Sequence, residues 1–426
     1  MLNTESLAAV QASRFGERFM RPLYEGYCFA RIPATIRGLL TEATGATLPP
    51  AALGQLAQQP YDAVILLFID AFGWHFFHEA AERYPFLKRI LDSGVASQLT
   101  TQFPSTTAAH VTTIHTGLEV GASGVFEWNY YEPELDAMIC PLLFSFCGDR
   151  VRDTLRPTGI DPARIYPASP FYQSLRDSGV QPFVFQHYTY ANSPYTQVVT
   201  SGAQVVAYRT LPEALTQLAD MRAAQRGKAY YVLYFDGVDT VCHQHGPASR
   251  HVAAEIDALL TTLERTLHPA LSTSGGKTLL LLTADHGHAA VDPATTIYLN
   301  QALPDVARFF RTNASGVPLV PGGSSRDMFL YIKPELLDEA EQELTALLTG
   351  RAEVHRVERL LAQGFFGAAP PSPTLLGRIG NLVILPYAGE SVWWYERGRF
   401  GQRNRGAHGG LTRAEAETIF LAYAYS

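Results

Sequence analysis

No stretch of this 426-residue chain approaches the ~18 consecutive apolar residues of a membrane span, so none is expected. Cysteine is scarce. Cys28, Cys140, Cys147 and Cys242 lack zinc-ribbon spacing and suggest no disulfide framework, although Cys140 and Cys147 could pair in an exported protein. Reduced, buried thiols are the expectation. Basic charge is not in excess either: 33 Lys and Arg stand against 40 Asp and Glu, a net charge of -7 that offers a nucleic-acid polymer no overall footprint. The first residues carry Glu5, Arg14, Glu17 and Arg18 and lack an apolar h-region, so they do not read as a secretory signal, and the cytoplasm is the simplest compartment. Internal repeats and low-complexity tracts are missing as well.

The chain does hold three short apolar runs, each ending on an aspartate: Ala63 to Ile69 before Asp70, Tyr230 to Phe235 before Asp236, and Thr278 to Ala284 before Asp285. Runs of this length read as strands buried on both faces, hence as a parallel sheet. Ligands of open α/β sheets sit beyond the carboxyl ends of the strands, so three such carboxylates would gather at one edge. A lone Asp after a strand is more often a turn former or helix cap. Here, however, Asp239-Thr-Val-Cys-His243 follows the second run and Asp285-His286 closes the third, which points to a divalent metal site.

With 47% hydrophobic residues, the length suffices for a large core and about two or three domain-sized units. Residues 1–59 read as a mainly helical segment and 60–291 as the first part of a metal-binding α/β core. Strand-like Gln181 to Gln186 and helix-like Pro212 to Arg222 lie within it. Residues 292–378 change texture, with strand-like Met328 to Ile332 and a Glu- and Leu-rich helix from Pro334 to Leu348, and read as an inserted lid or cap. Residues 379–426 would complete the core, with a strand at Val383 to Leu385, a His-containing loop and a final helix.

The segment from Phe103 to Gly117 reads as a helix that begins just after Pro104, with Ser105, Thr106 and Thr107 at its N-terminus. Free N–H groups and the helix dipole favour an anion there, and a hydroxyl bound to a metal at that place can become a nucleophile. Taken alone, those hydroxyls would more simply cap the helix.

Phe68-Ile-Asp70, Pro104-Ser-Thr-Thr107 running to Thr116-Gly117, Asp239-Thr-Val-Cys-His243 with Gly246-Pro247, Asp285-His-Gly287 and Gly406-Ala-His-Gly409 occur in that order. In this the chain resembles the type I phosphodiesterase/nucleotide pyrophosphatase family of the alkaline phosphatase superfamily. The resemblance covers residues 60–290 and 380–426. It implies an alkaline-phosphatase-like α/β core: a mostly parallel central sheet flanked by helices, plus the inserted cap. It further implies two divalent metal ions, with Zn²⁺ first and Mn²⁺ or Mg²⁺ as alternatives. Asp70, Thr107, Asp285 and His286 would hold one ion, and Asp239, His243 and His408 the other. Thr107 would double as nucleophile and form a phospho-threonine intermediate. Asn129, in Glu127-Trp-Asn-Tyr-Tyr131, would stabilise the transition-state oxygen.

Asp236 is left a structural role, and His245 and His288 stand as reserve ligands, while His110 and His115 read as packing residues. Rings at Phe126, Trp128, Tyr130, Tyr131, Tyr188, Tyr190 and Tyr195 could stack on a nucleotide base or simply pack. Arg397, Arg399, Arg403 and Arg405 could draw phosphate oxygens or form a solvated loop. The expected activity is cleavage of phosphodiester or nucleotide pyrophosphate bonds in a small phosphate ester or nucleotide. A phosphomonoesterase or phosphonate hydrolase on the same core is the alternative, and an inactive binding protein the non-enzyme reading. Between Phe103 and Tyr131 there is no Lys or Arg to meet a monoester dianion, which favours the diester. Oligomeric state is not legible.

Overall fold

A computed structural model describes residues 1–41, 43–168 and 170–425. Its main strands are β1 (Ala63–Ile69), β2 (Val95–Thr100), β3 (Gln181–His187), β4 (Gln204–Tyr208), β5 (Ala229–Phe235), β6 (Thr278–Thr283), β7 (Gly322–Ser324), β8 (Asp327–Leu330), β9 (Ala352–Arg356), β10 (Leu382–Pro386) and β11 (Glu417–Tyr425). A seven-stranded sheet runs in the order β2-β11-β6-β1-β5-β3-β4. The three aspartate-ending runs are its adjacent, parallel centre: Ala63 pairs with both Ala229 and Thr278. Only β11 is antiparallel to its neighbours. The expected α/β class, with a mostly parallel central sheet flanked by helices, is the fold observed.

Side chains alternate across each central strand, so the apolar runs feed two cores. Val64, Leu66, Phe68, Tyr230, Val232, Leu279 and Leu281 face one side. There they meet Val10, Ile32 and Ile36 from the N-terminal segment and Ala108, Val111 and Ile114 from helix α1 (Thr107–Thr116). Ile65, Leu67, Ile69, Tyr231, Leu233, Leu280 and Leu282 face the other, against helices at Trp74–Ala80, Pro85–Ser93, Leu211–Ala224 and Arg250–Thr262. No helix among the described residues is long and apolar enough to cross a membrane. All four cysteines are free and buried.

A second, antiparallel sheet has the order β7-β8-β10-β9. One face covers a third core that includes Met328, Leu330, Leu344 and Ile384. Phe329, Val383 and Leu385 point the other way into the first core, with Phe329 5.2 Å from Phe126 and 6.2 Å from Phe103 between ring centres. The strand expected at Val383 to Leu385 therefore belongs to this sheet and not to the central one. The Arg326 guanidinium, fully buried, grips the Glu415 carboxylate at 2.7 and 3.1 Å and joins the second sheet to the segment just before β11.

The expected final helix stops early. A capping box at Thr412 and Glu415 starts a helix that ends at Ala416, and Ile419, Phe420 and Leu421 enter the central sheet instead. Their branched and aromatic side chains suit a strand buried on both faces better than a terminal helix.

Candidate metal centre and active site

Strand ends and one helix start build the site. Beyond β1, Ala71 takes a left-handed φ of 64°, and its N–H donates to Asp285 Oδ1 at 3.0 Å. The loops after β1 and β6 lie nearly in contact: a Cβ added at Gly73 would come within 2.7 Å of Gly287 Cα. Asp70 and Asp285 thus converge with His286, whose Nε2 is 3.4 Å from Asp70 Oδ1 and 3.3 Å from Asp285 Oδ2. Asp70 Oδ1 and Asp285 Oδ2 are buried and receive no hydrogen bond. Two orphaned anionic oxygens beside one another are costly unless a cation neutralises them, so a divalent ion fits these donors. Burial and the neighbouring Asp285 and Asp239 carboxylates push Asp70 well up, and burial lifts Asp285 to about 7.

Asp239 lies on helix α2 (Gly237–His245), one turn before His243, so the two share a face. His243 Nε2 is 3.5 Å from Asp239 Oδ2, His288 Nε2 is 2.7 Å from Asp239 Oδ1, and His408 Nε2 is 3.7 Å from the same oxygen. Burial works to raise Asp239, but the imidazoles outweigh it and hold that carboxyl well below its usual range. Burial keeps His286 neutral, with the neighbouring His408 adding to the effect, and it lowers His408 to about 3.

Three of these rings share a device. Nδ1 of His243, His286 and His408 lies 2.8, 3.0 and 3.0 Å from the carbonyls of Gly406, Gly287 and Ser105. A carbonyl can only accept, so the proton sits on Nδ1 and the Nε2 lone pair faces the cluster, as metal ligation requires. Ligand atoms of Asp239, His286, His288 and His408 lie within 4.8 Å of one another, as do those of Asp70, Asp285 and His286. His288, read from the sequence only as a reserve, is therefore inside the cluster. His245 is outside it, stacked on His251 at 3.9 Å. His110 and His115 are buried in packing positions: His110 bridges Gln102 N and Thr106 O, and His115 meets Tyr172 Oη.

The adjacent threonines divide labour. Thr106 caps α1, accepting from Ala109 N at 3.4 Å and donating to Phe126 O at 2.7 Å. Thr107, first residue of the helix, turns its Oγ1 into the cluster, 3.4 Å from Asp70 Oδ2 and 3.2 Å from His286 Nε2. Tyr234 Oη donates to Asp70 Oδ2 from the neighbouring strand. Asn129 Nδ2 donates to Gly323 O at 3.3 Å, and its Oδ1 accepts from Cys147 Sγ at 3.1 Å, which fixes the amide at the rim.

Two hollows open on Thr107. One, of about 380 Å³, has Trp128, Tyr190, Tyr195, Tyr234 and Asp236 in its wall. The other, of about 650 Å³, includes Asn129, His243, His408, Arg150, Arg399 and Arg403. Of the aromatic residues flagged in the sequence, Trp128, Tyr190 and Tyr195 reach the site, whereas Phe126 and Tyr130 are core.

No curated protein matches the chain in sequence. Its fold is similar to murine ectonucleotide pyrophosphatase/phosphodiesterase 5 (TM-score 0.63, 18% identity, covering 84% of this chain and 87% of that one). An inactive variant of that murine protein, solved in complex with AMP, aligns at a TM-score of 0.64 and 18% identity over the same shares of the two chains. Phosphonoacetate hydrolase from Sinorhizobium meliloti, solved with phosphonoacetate, is similar at a TM-score of 0.59 and 18% identity over 85% of this chain and 90% of that one. At that identity the likeness speaks to fold. The sequence itself matches the type I phosphodiesterase/nucleotide pyrophosphatase model over residues 64–411, a span reaching from β1 past His408, so the chain belongs to that family and is a phosphoric ester hydrolase.

Proposed function

We propose that this protein cleaves phosphodiester or nucleotide pyrophosphate bonds, with Thr107 attacking phosphorus and carrying the phosphoryl group as phospho-threonine until water releases it. One observation carries the reading: of two adjacent threonines, only Thr107 turns its hydroxyl toward the carboxylates and imidazoles, while Thr106 is spent on the helix cap. Asp70, Thr107, Asp285 and His286 would hold one divalent ion, and Asp239, His243 and His408 the other, with His288 Nε2 on Asp239 Oδ1 at 2.7 Å inside the same cluster. Imidazole and carboxylate donors suit Zn²⁺, with Mn²⁺ or Mg²⁺ as alternatives. Bound at such a pair, the ions supply Lewis acidity to the phosphoryl oxygens.

The chain's own groups do the rest. Asp70 and His286 orient the Thr107 hydroxyl, the free N–H groups of the first turn of α1 face the anion, and the tethered Asn129 amide donates to the developing negative oxygen. A small phosphate ester or nucleotide suits hollows of this size. Phosphomonoester or phosphonate hydrolysis is the second reading, favoured by Arg150, Arg399 and Arg403 in the wider hollow. An assay with one chromogenic leaving group separates the two. An aryl phosphodiester is expected to exceed the matching monoester in kcat/KM by at least about tenfold, or ~1.4 kcal/mol. Equal rates or a monoester preference would transfer the assignment. Elemental analysis is expected to find about two divalent ions per chain.

A further inference from the structure

A second group of carboxyls stands apart from the metal cluster. Glu127 comes two residues before Asn129, and Asp327 opens β8. Both are fully buried and lie within hydrogen-bonding reach of each other, and neither belongs to the cluster around Asp70 and Asp239. Glu127 Oε2 accepts from Trp128 N, and Asp327 Oδ1 is 2.5 Å from Ser324 Oγ. The other two oxygens, Glu127 Oε1 and Asp327 Oδ2, are buried and receive no hydrogen bond. Arg326, beside Asp327 in the chain, brings no relief: its guanidinium is held by Glu415 and by the carbonyls of Tyr387 and Glu390. Burial lifts the Glu127 carboxyl to about 7, and burial together with the Glu127 charge pushes Asp327 well up.

Two carboxylates buried side by side are unfavourable until a cation or a shared proton neutralises them. A shared proton needs neither a third ligand nor a way in, and this place has both. The Ser324 hydroxyl has one proton and two acceptors; given to His408 O at 3.1 Å, it leaves Oγ lone pairs beside Asp327 Oδ1. Glu127 and Ser324 line the wider hollow of about 650 Å³, which gives an ion and its waters a route to them. Every donor here is an oxygen, whereas the cluster beside Thr107 is rich in imidazole. An all-oxygen set suits Mg²⁺ or Ca²⁺. We propose that Glu127, Asp327 and Ser324 hold a third, exchangeable divalent cation of the Mg²⁺ or Ca²⁺ class, separate from the pair beside Thr107. The surrounding contacts give it a bracing role. Gly323 N donates to Asn129 O at 2.7 Å, and a Cβ added at Gly409 would stand 2.4 Å from Asp327 Oδ1. An ion on Asp327 and Ser324 therefore ties the strand of Asn129 to the loop of His408.

Calorimetric titration of the zinc-loaded protein with Mg²⁺, and separately with Ca²⁺, tests the site without reference to turnover, so its failure leaves the reading of Thr107 untouched. About one ion per chain is expected to bind with zinc content unchanged by elemental analysis, Mg²⁺ ahead of Ca²⁺ because it accepts few protein oxygens and keeps several waters. Glu127→Gln and Asp327→Asn should each weaken that binding at least about tenfold, and Ser324→Ala by less. The ion should raise the melting temperature of the native protein and leave that of Asp327→Asn unmoved. Uptake of neither ion by the native protein, a result that does not depend on how the variants fold, would overturn the proposal in favour of a shared proton. Uptake that displaces zinc, or that persists undiminished in both carboxyl variants, would overturn it by placing the ion elsewhere.

Discussion

Around Asp70 and Asp285 carboxylates face one another, whereas Asp239 faces imidazoles. In the first half of the cluster two oxygens lack any donor, and both carboxyls are pushed up. In the second half His243, His288 and His408 surround one carboxylate and hold it down. The halves lie side by side on one sheet edge, yet the first sets carboxyls against one another with no donor for two of their oxygens, while in the second the Asp239 carboxylate accepts from His288 Nε2 at 2.7 Å. A bound cation therefore relieves repulsion in the first half and displaces existing contacts in the second. Thr107 belongs to the first, where charge is least satisfied.

The largest expected effect tests that placement. Thr107→Ala should lower kcat/KM by ~10³-fold or more, about 4 kcal/mol of transition-state stabilisation, with little change in melting temperature. Thr106→Ala should do the reverse: losing the cap costs ~1–2 kcal/mol of stability, and activity falls by less than about tenfold. Steady-state kinetics and thermal melts of the pair decide, and reversed results would move the nucleophile to Thr106.

Neutralising one carboxylate in each half should have opposite signs in metal-free protein. Asp285→Asn is expected to raise the melting temperature at pH 8, on the order of a few degrees, and Asp239→Asn to lower it. The first sign follows from linkage. The folded state holds the Asp285 proton up to about pH 7, above the unfolded value near 4, so its stability contribution is full at acid pH and lost as pH rises through 7. The gain from Asp285→Asn should accordingly fade toward pH 5. Asp239 is depressed, so its contribution is present above the unfolded value, and its loss destabilises at pH 5 and pH 8 alike. With Zn²⁺ added, both variants should bind less metal and melt below the native protein. Equal signs in the metal-free melts would erase the distinction between the halves.

The smallest effect concerns the turn that joins them. Ala71 holds a left-handed φ of 64°, a conformation glycine adopts without a Cβ penalty. Ala71→Gly should stabilise the fold by less than about 1 kcal/mol, seen as a slight rise in urea midpoint.

Much of this site was legible because its residues announce themselves locally. Asp70 and Asp285 end apolar runs, Asp239 and His243 share a helix face, and Thr107 follows a proline at a helix start. What escaped is what depends on distant partners. His288 looked equivalent to His245, and only the approach of Gly406 and Asp239 separates them. Arg399 and Arg403 looked like a solvated loop, and their place beside His408 depends on how that loop folds back. The last strand was hidden because a capping box at Thr412 signals a helix, while the open position between β2 and β6 exists only in the assembled sheet.

That strand also sets an order of events during synthesis. β2 is made well before its partner in the central sheet, β11, which follows every other strand of that sheet in the chain. Met1 to Asn3 line the other edge of β2, with Asn3 N donating to Ala96 O at 2.8 Å, but the inner edge stays unpaired until β11 slides in against β6. His408 and the Glu415 carbonyl that receives Gly287 N come just before it. A nascent chain therefore carries an open strand edge, exposed to pairing with other chains, until β11 arrives, and it lacks His408 until shortly before that. Insertion of β11 closes that edge, so a chain interrupted before it would keep an open strand edge and be prone to aggregate.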